Sequence, residues 1–569
     1  MANTDQTRRR VTGWGFEGAQ PGADEVAQLA GLLQTQFPGA SIAPEPPVDV
    51  ATVRLPEPRL AVPDTLAACC AIDVPTRCLH ALGRSYPDAL RAQRGAFEPA
   101  PDVVATPRDA AEVAAVLEWC EQAGAAAIPF GGGTSVVGGV NPPDDDRPVV
   151  ALQLRAMDRV REVDAVSQAA HIEAGATGPV LEDQLRAHGF TLRFFPQSFE
   201  LSTLGGWIAT RAGGHFATGA THIDDLVEAV SAVTPLGLWS SRRLPASGAG
   251  PSPDRWLLGS EGILGVITDA WVRLQPRPRH RAAASVRFAD FAAGLAAVRA
   301  VTQAGFTPAG CRLLDPVEAL LNGANDGSHA VLVLGFESAH APVGAEAEAV
   351  VALCRDKGGE CPKGVSIRDA DEAAAGADDH ADDPGAATGH TGATTPDVEA
   401  ATRATGPASD EDAASAWRRS FLRAPYLRDA LISLGVIAET FETAVTWNAA
   451  EALHAEVTAA VQAALHEVCG DGLVTCRTTH AYPDGVAPYF TVLAPGRRGS
   501  EITQWREVKA AASEAVLAAG GTITHHHAIG RDHRPWYDRQ RPDPFAAALR
   551  AAKATLDPSG ILNPGVLVG

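Results

Sequence analysis

The stretch PFGGGTSVVGGV, Pro129 to Val140, places five glycines in twelve residues. Glycine admits positive φ and lets a ligand come close to the backbone. A run this dense is a mobile linker or a loop that cradles phosphate. It is not a Walker loop: Gly133 and Gly138 have the right separation, but Gly139 and Val140 stand where Lys and Ser/Thr are required. It is not a Rossmann fingerprint either, since Val136 falls where the third glycine belongs. Upstream, DAAEVAAVLEWCEQAG reads as an amphipathic helix and AAAIPF as a short apolar strand. Downstream, PVVALQL reads as a second strand rather than the helix both nucleotide fingerprints need. The loop therefore joins two strands. Its successive N–H groups are suited to an anion-binding nest, with Thr134 and Ser135 adding hydroxyl donors.

The chain has 569 residues, an apolar fraction of 46% and a formal charge of −21. That balance argues against a nucleic-acid partner, which needs clustered Lys and Arg. No apolar run is long enough to span a bilayer, and the basic N-terminus lacks the apolar core of a secretory signal. Nine scattered cysteines, with no C-x-x-C pair, fit a reducing, cytoplasmic location better than a disulfide framework.

Along the chain, residues 1–97 read as a mainly helical, Pro-rich extension. Strand and helix patterns alternate over 98–280, and a second α/β region covers 281–524. Within it, from about 367 to 415, Ala, Gly, Asp and Thr replace large apolar residues, which predicts a disordered acidic insertion. Residues 525–569 close the chain.

Two further stretches carry the same glycine signature beside strands. One is PQSFELSTLGGWIATRAGG, starting at Pro196; the other is GSEGILGVIT, Gly259 to Thr268. With PFGGGTSVVGG they resemble the three flavin-binding stretches of the vanillyl-alcohol oxidase flavoprotein family. GWGFEG, CRLLDPVEA, APYLRDALISLGVIAETFETAVTW, TCRTTHAYPDGVAPYF and THHHAIG extend the likeness over most of the chain. Within the family they resemble its ether-lipid branch, the alkyldihydroxyacetonephosphate synthases.

The resemblance implies an α/β (α+β) fold. A two-subdomain FAD-binding domain of that type (98–280) would be joined by a cap of antiparallel sheet and helices (281–524), with 525–569 returning to the flavin. It implies non-covalent FAD, wrapped at its pyrophosphate by Pro129, Phe130, Gly131, Gly132, Gly133, Thr134 and Ser135. Pro196, Gln197, Ser198, Phe199, Glu200, Leu201 and Ser202 would line the rest, together with Thr210, Arg211, Ala212 and Gly213. So would Glu261, Gly262, Ile263, Leu264, Gly265, Val266 and Ile267. Arg312, Tyr489, His525, His526 and His527 fall on catalytic positions, and Arg428 on a substrate-binding one. The implied reaction replaces the acyl group of acyl-dihydroxyacetone phosphate with a long-chain alcohol. FAD would act without net redox change, through a substrate adduct at flavin N5. A small-molecule or lipid substrate is expected, with room for peripheral membrane contact and a homodimer.

The residues also carry chemistry of their own. Arg428 offers a planar fork for carboxylate or phosphate, and pairing on a helix surface is its ordinary alternative. Tyr489 is an acid/base candidate, or else a core aromatic in a strand. Three adjacent histidines suit an apolar core poorly. On a strand, His525 and His527 would share one face and His526 the other. With no carboxylate evident nearby, acid/base or substrate-binding work is expected and no metal.

A sister reading is a flavin dehydrogenase or oxidase of a D-2-hydroxy acid. Such enzymes tend to carry His-x-Gly-Asp-Gly-Asn-x-His and Glu-His-Gly stretches. HAYPDGVAPY keeps His480, Asp484 and Gly485 but has Val486 for Asn, and HHHAIG has His where Glu is expected. Against the synthases, Gln197, His480 and Ala528 depart from the common Asp, Gln and Gly. A flavin protein without catalysis is the third reading. The joint presence of Tyr489, Arg428 and the triple histidine argues against it.

Overall fold

The computed structural model describes residues 8–369 and 413–568. Three large sheets organise them, beside a two-stranded pairing of Phe190–Thr191 with Gln275–Pro276. In the first, Val103–Ala105, Val149–Gln153 and Ala126–Phe130 run parallel, with Cys70–Ala71 added antiparallel at one edge. Parallel strands are covered on both faces and so read as unbroken apolar runs. Val149–Gln153 obeys this rule, every residue being buried. The helix Ala110–Ala123 leads into this sheet, its first turn capped by the Asp109 carboxylate on the Glu112 N–H at 2.9 Å.

The second sheet is antiparallel, in the order Val160–Asp164, Ala169–Glu173, Val266–Arg273, Val227–Thr234, Gly237–Ser240. It shares one core with the first, through Val150, Leu152, Ile172, Leu204, Trp207, Val230 and Val266. The C-terminal Ile561, Leu562 and Val566 join this core. Leu562 makes a parallel bridge to Ala127, directly before the glycine loop.

The third sheet has eight antiparallel strands and its own core. Its central strands are Gly310–Leu314, Leu473–Ala481 and Gly485–Pro495, with Val436–Glu442 on the far side of the last. Helices Phe291–Gln303, Gly344–Asp356, Trp447–Cys469 and Glu501–Ala518 pack their apolar stripes into it.

Both ends of the stretch read as an acidic insertion, about 367 to 415, carry regular structure. Ser366–Asp369 forms an edge strand on His280–Phe288, and the helix Ala413–Ser433 follows. The remainder, 370–412, lies outside the described residues. Among the described residues, no helix is long and apolar enough to cross a membrane.

Candidate active site

The glycine loop is shaped by contact with its neighbours. Gly133 takes φ +65°, and a Cβ there would lie 2.4 Å from the Phe130 ring. At Gly132 a Cβ would meet the Leu201 carbonyl at 2.2 Å, so two of the three predicted cofactor stretches touch backbone to backbone. Among the described residues, no protein group accepts from the N–H of Gly132, Gly133 or Thr134. Arg9 approaches the same loop, its Nη2 donating to the Gly132 carbonyl at 3.0 Å. Burial, with Arg84 and Arg155 nearby, pushes Arg9 down to about 9. The Nε atoms of Arg9 and Arg84 are buried without partners. Free amide donors beside surplus buried cations are the environment a pyrophosphate dianion requires.

A cavity of about 860 Å³ opens from this loop. Pro129 through Ser135 all line it, as do Pro196, Gln197, Ser198, Ser202, Thr210, Ala212, Gly213, Glu261, Gly262, Gly265 and Ile267. The other predicted cofactor positions lie behind the lining. Phe199 stacks on Trp207 in the core, and Leu201, Ile263, Leu264 and Val266 are buried there. Glu200 accepts the Tyr426 hydroxyl at 2.7 Å. Arg211 ends its helix in the left-handed region and pairs with Asp224 at 2.8 Å.

The eight-stranded sheet, the helix Ala413–Ser433 and the histidine segment supply the opposite wall. Tyr489, Arg312, Arg428, His526 and His527 all line the cavity, each at least 172 residues beyond Val140 in sequence. Arg428 is fixed by donation from Nε to the Ala438 carbonyl at 3.2 Å and from Nη1 to the Arg84 carbonyl at 2.7 Å. Arg312 donates to the His215 carbonyl. Burial raises the Tyr489 hydroxyl above its ordinary range, opposed by Arg477, whose guanidinium lies 4.0 Å above the ring centroid. Arg477 is held in turn by Glu318.

The histidine stretch is not a strand. Residues 525–527 form a bend, so His526 and His527 both line the cavity while His525 turns away behind them. The carboxylate that the sequence does not reveal is Glu442, from the neighbouring strand and wholly buried. It accepts the N–H of His525 at 2.5 Å, His526 at 3.1 Å and His527 at 2.9 Å, and the Thr524 hydroxyl at 2.5 Å. Glu261 does the same downstream, accepting from Ile529 at 2.9 Å and Gly530 at 2.8 Å. Burial pushes Glu261 up to about 7. Against its own burial, Glu442 stays well below the usual carboxylate range because the three imidazoles and Thr524 surround it. Burial pulls all three histidines below the ordinary imidazole range, with Glu442 opposing it.

His480, His525 and His526, and separately Glu442, His526 and His527, bring ligand-type atoms within 4.8 Å of one another. The paired nitrogens of His525 and His526 already share a hydrogen bond at 3.0 Å. Glu442, Arg477, Glu318, Arg84, His222 and Tyr482 complete the site and escape motif reading. Charged residues inside otherwise apolar strands, as at Arg477 and Glu442, are the signal that marks them.

Residues 277–378 and 378–567 match the family described as FAD linked oxidases, C-terminal domain, and residues 101–240 match the FAD binding domain. An alkyldihydroxyacetonephosphate synthase of Trypanosoma brucei brucei is 28% identical over 87% of this chain and 78% of its own length. One from Caenorhabditis elegans is 29% identical over 86% and 80%. A crystal structure titled alkyldihydroxyacetonephosphate synthase superposes with a TM-score of 0.75 at 22% identity, over 98% of this chain and 97% of that one. The glycine cradle, the cap sheet that closes it and these matches converge: the chain belongs to the FAD linked oxidases and is an FAD-dependent enzyme.

Proposed function

We propose that this enzyme exchanges the acyl group of acyl-dihydroxyacetone phosphate for a fatty alcohol. The observation that carries the reading is the shape of the cavity. One end holds the glycine loops, Tyr489 and the histidines; the other is apolar, lined by Leu29, Leu33, Phe37, Leu427, Leu431 and Leu493. Leu32, Leu320 and Leu321 line it too and are 57%, 45% and 50% exposed, which suits a mouth that takes an aliphatic chain from a membrane surface. A small hydroxy acid has no use for such an arm.

The chain's residues divide the work. Pro129 to Ser135 hold the FAD pyrophosphate. The planar guanidinium of Arg428, fixed by two carbonyls, grips the substrate phosphate. Tyr489 relays the alcohol proton: its hydroxyl, kept protonated at rest by burial beside Arg477, hands its own hydrogen to an imidazole nitrogen as it accepts that of the alcohol. His526 and His527 stand beside it, their rings 6.2 Å and 5.6 Å from the tyrosine ring between centroids. Bound FAD supplies a ring system that gives and takes electron density at the substrate carbon without net redox change.

The test is product analysis. The FAD-loaded enzyme, given acyl-dihydroxyacetone phosphate and hexadecanol, forms an ether lipid and free fatty acid without consuming an electron acceptor. Reduction of an acceptor by a D-2-hydroxy acid, with no ether product, overturns the reading.

A further inference from the structure

We propose that His526, His525, Tyr482, Thr221 and His222 form a proton exit from the active-site cavity, set outward at rest. The proposal rests on the exchange reaction above, in which the alcohol loses its hydroxyl proton and the acyl group departs as a carboxylate. Each turnover then frees one proton inside a buried site, and that proton must reach solvent.

The five residues make an unbroken line. His526 Nδ1 meets His525 Nδ1 at 3.0 Å. On the other side of the same ring, His525 Nε2 meets the Tyr482 hydroxyl at 2.8 Å. That hydroxyl meets Thr221 Oγ1 at 3.0 Å, and Thr221 Oγ1 meets His222 Nδ1 at 3.1 Å. His526 lines the cavity, while His222 is half-buried at the outer end.

The direction follows from one carbonyl. His222 Nε2 lies 3.2 Å from the backbone oxygen of His525, which only accepts. Nε2 therefore carries a hydrogen, and in the uncharged form of any imidazole the other nitrogen, here Nδ1, is an acceptor. Thr221 spends its single hydrogen there, so Tyr482 donates to Thr221. The tyrosine oxygen then accepts from His525 Nε2–H, which leaves His525 Nδ1 bare and makes His526 Nδ1 the donor. Glu442 agrees independently: its Oε2 lies 3.5 Å from His526 Nδ1, as a carboxylate facing an N–H should.

From His526 to Thr221, every donor thus points outward. His526 takes a proton at Nε2 from the cavity and releases the one on Nδ1 to His525. His525 passes its Nε2 hydrogen to Tyr482, Tyr482 passes its own to Thr221, and Thr221 passes its own to His222. Each bond broken on a donor is matched by one formed on the next acceptor; water takes the proton from His222 Nε2 as that atom leaves the His525 carbonyl, and the line, now pointing inward, turns back to its resting tautomers before the next turnover. His480 lies beside the line, its tilted ring 4.8 Å from that of His525 between centroids, but its Nε2 is turned to the Gly214 carbonyl at 3.1 Å and gives the chain no link.

The experiment uses the FAD-loaded enzyme with acyl-dihydroxyacetone phosphate and hexadecanol in weak buffer. His222→Ala is expected to lose turnover several-fold and to regain it, saturably, with added imidazole. Tyr482→Phe, which removes a middle link, is expected to lose turnover with no such rescue. FAD content is measured for both, so that a folding defect shows separately. A His222→Ala enzyme that keeps its FAD and is either unchanged in weak buffer or slow without rescue overturns the proposal. Nitrogen NMR of histidine-labelled resting enzyme is the arm that needs no turnover. It should find hydrogen on Nε2 of His222 and on Nδ1 of His526, and the reverse pattern overturns the exit. If the wild-type enzyme makes no ether lipid, the functional reading fails, while the tautomers still decide whether the line is built as described.

Discussion

The Glu442 carboxylate accepts the backbone N–H of His527 at 2.9 Å, and through the same two oxygens those of His525 and His526. A single buried side chain from the eight-stranded sheet thereby sets the course of the segment 525–527. Glu261, from the third glycine stretch, completes the clamp two residues further on. The histidines are held by their backbone, which leaves their rings free to work.

Glu442→Gln preserves the shape and removes the charge. One carbonyl oxygen cannot serve three N–H groups and a hydroxyl, and the amide adds two donors where donors already crowd. The expected cost is about 1–3 kcal/mol, the penalty for unsatisfied buried polar groups. Glu442 sits lower in the folded chain than in the unfolded one, so acid favours unfolding. The wild-type advantage in melting temperature is therefore full above the ordinary glutamate value of 4.5 and shrinks as pH falls through the folded value. A difference between the two proteins that does not change with pH would refute this role.

Tyr489→Phe keeps the ring beneath Arg477 and removes only the hydroxyl. FAD content and melting temperature should stay near wild type, while kcat drops by roughly a hundred- to ten-thousandfold, the range for losing an acid/base group. Single-turnover kinetics separate this from a binding defect. Wild-type kcat in the variant would remove Tyr489 from the chemistry.

Arg428→Lys tests recognition of the phosphate. Lysine cannot reach the Ala438 and Arg84 carbonyls and also present a planar fork. KM for the acyl substrate should rise by roughly ten- to a hundredfold, equivalent to about 1.5–3 kcal/mol for a charge-assisted hydrogen bond. Steady-state kinetics with varied acyl substrate give the answer, and an unchanged KM would count against the assignment.

Gly132→Ala places a methyl group 2.2 Å from the Leu201 carbonyl. Both partners are backbone, so the loops must separate. The purified variant should come out with little or no flavin absorbance, whereas Gly219→Ala, with nothing within 4 Å of its Cβ, serves as a mildly strained control at positive φ. Full flavin content in Gly132→Ala would show that the loops do not have to touch.

Flavin attachment is checked by acid precipitation. No His or Cys lies between Pro129 and Val140. The yellow colour is expected in the supernatant, and colour retained in the pellet would identify a covalent bond elsewhere in the cavity.

Much of this protein is written in its linear order. The glycines of Pro129–Val140, bounded by a helix pattern and two apolar strands, announce a phosphate cradle. They do so because positive φ and the absence of Cβ are properties of single residues. The buried strand Ala330–Ser338 and the helices Trp447–Cys469 and Glu501–Ala518 are legible for the same kind of reason, since burial repeats with a fixed local period. The active site itself needed the tertiary structure. Local periodicity places His525–His527 on a strand, yet Glu442, eighty-three residues earlier, draws their amides into a bend and brings His526 and His527 to the same cavity. Likewise the line from His526 to His222 spans three chain segments, and its polarity is decided by one carbonyl contact. Hydrogen bonds between distant segments leave no repeating pattern in a sequence, so their partners and direction appear only when the chain is folded.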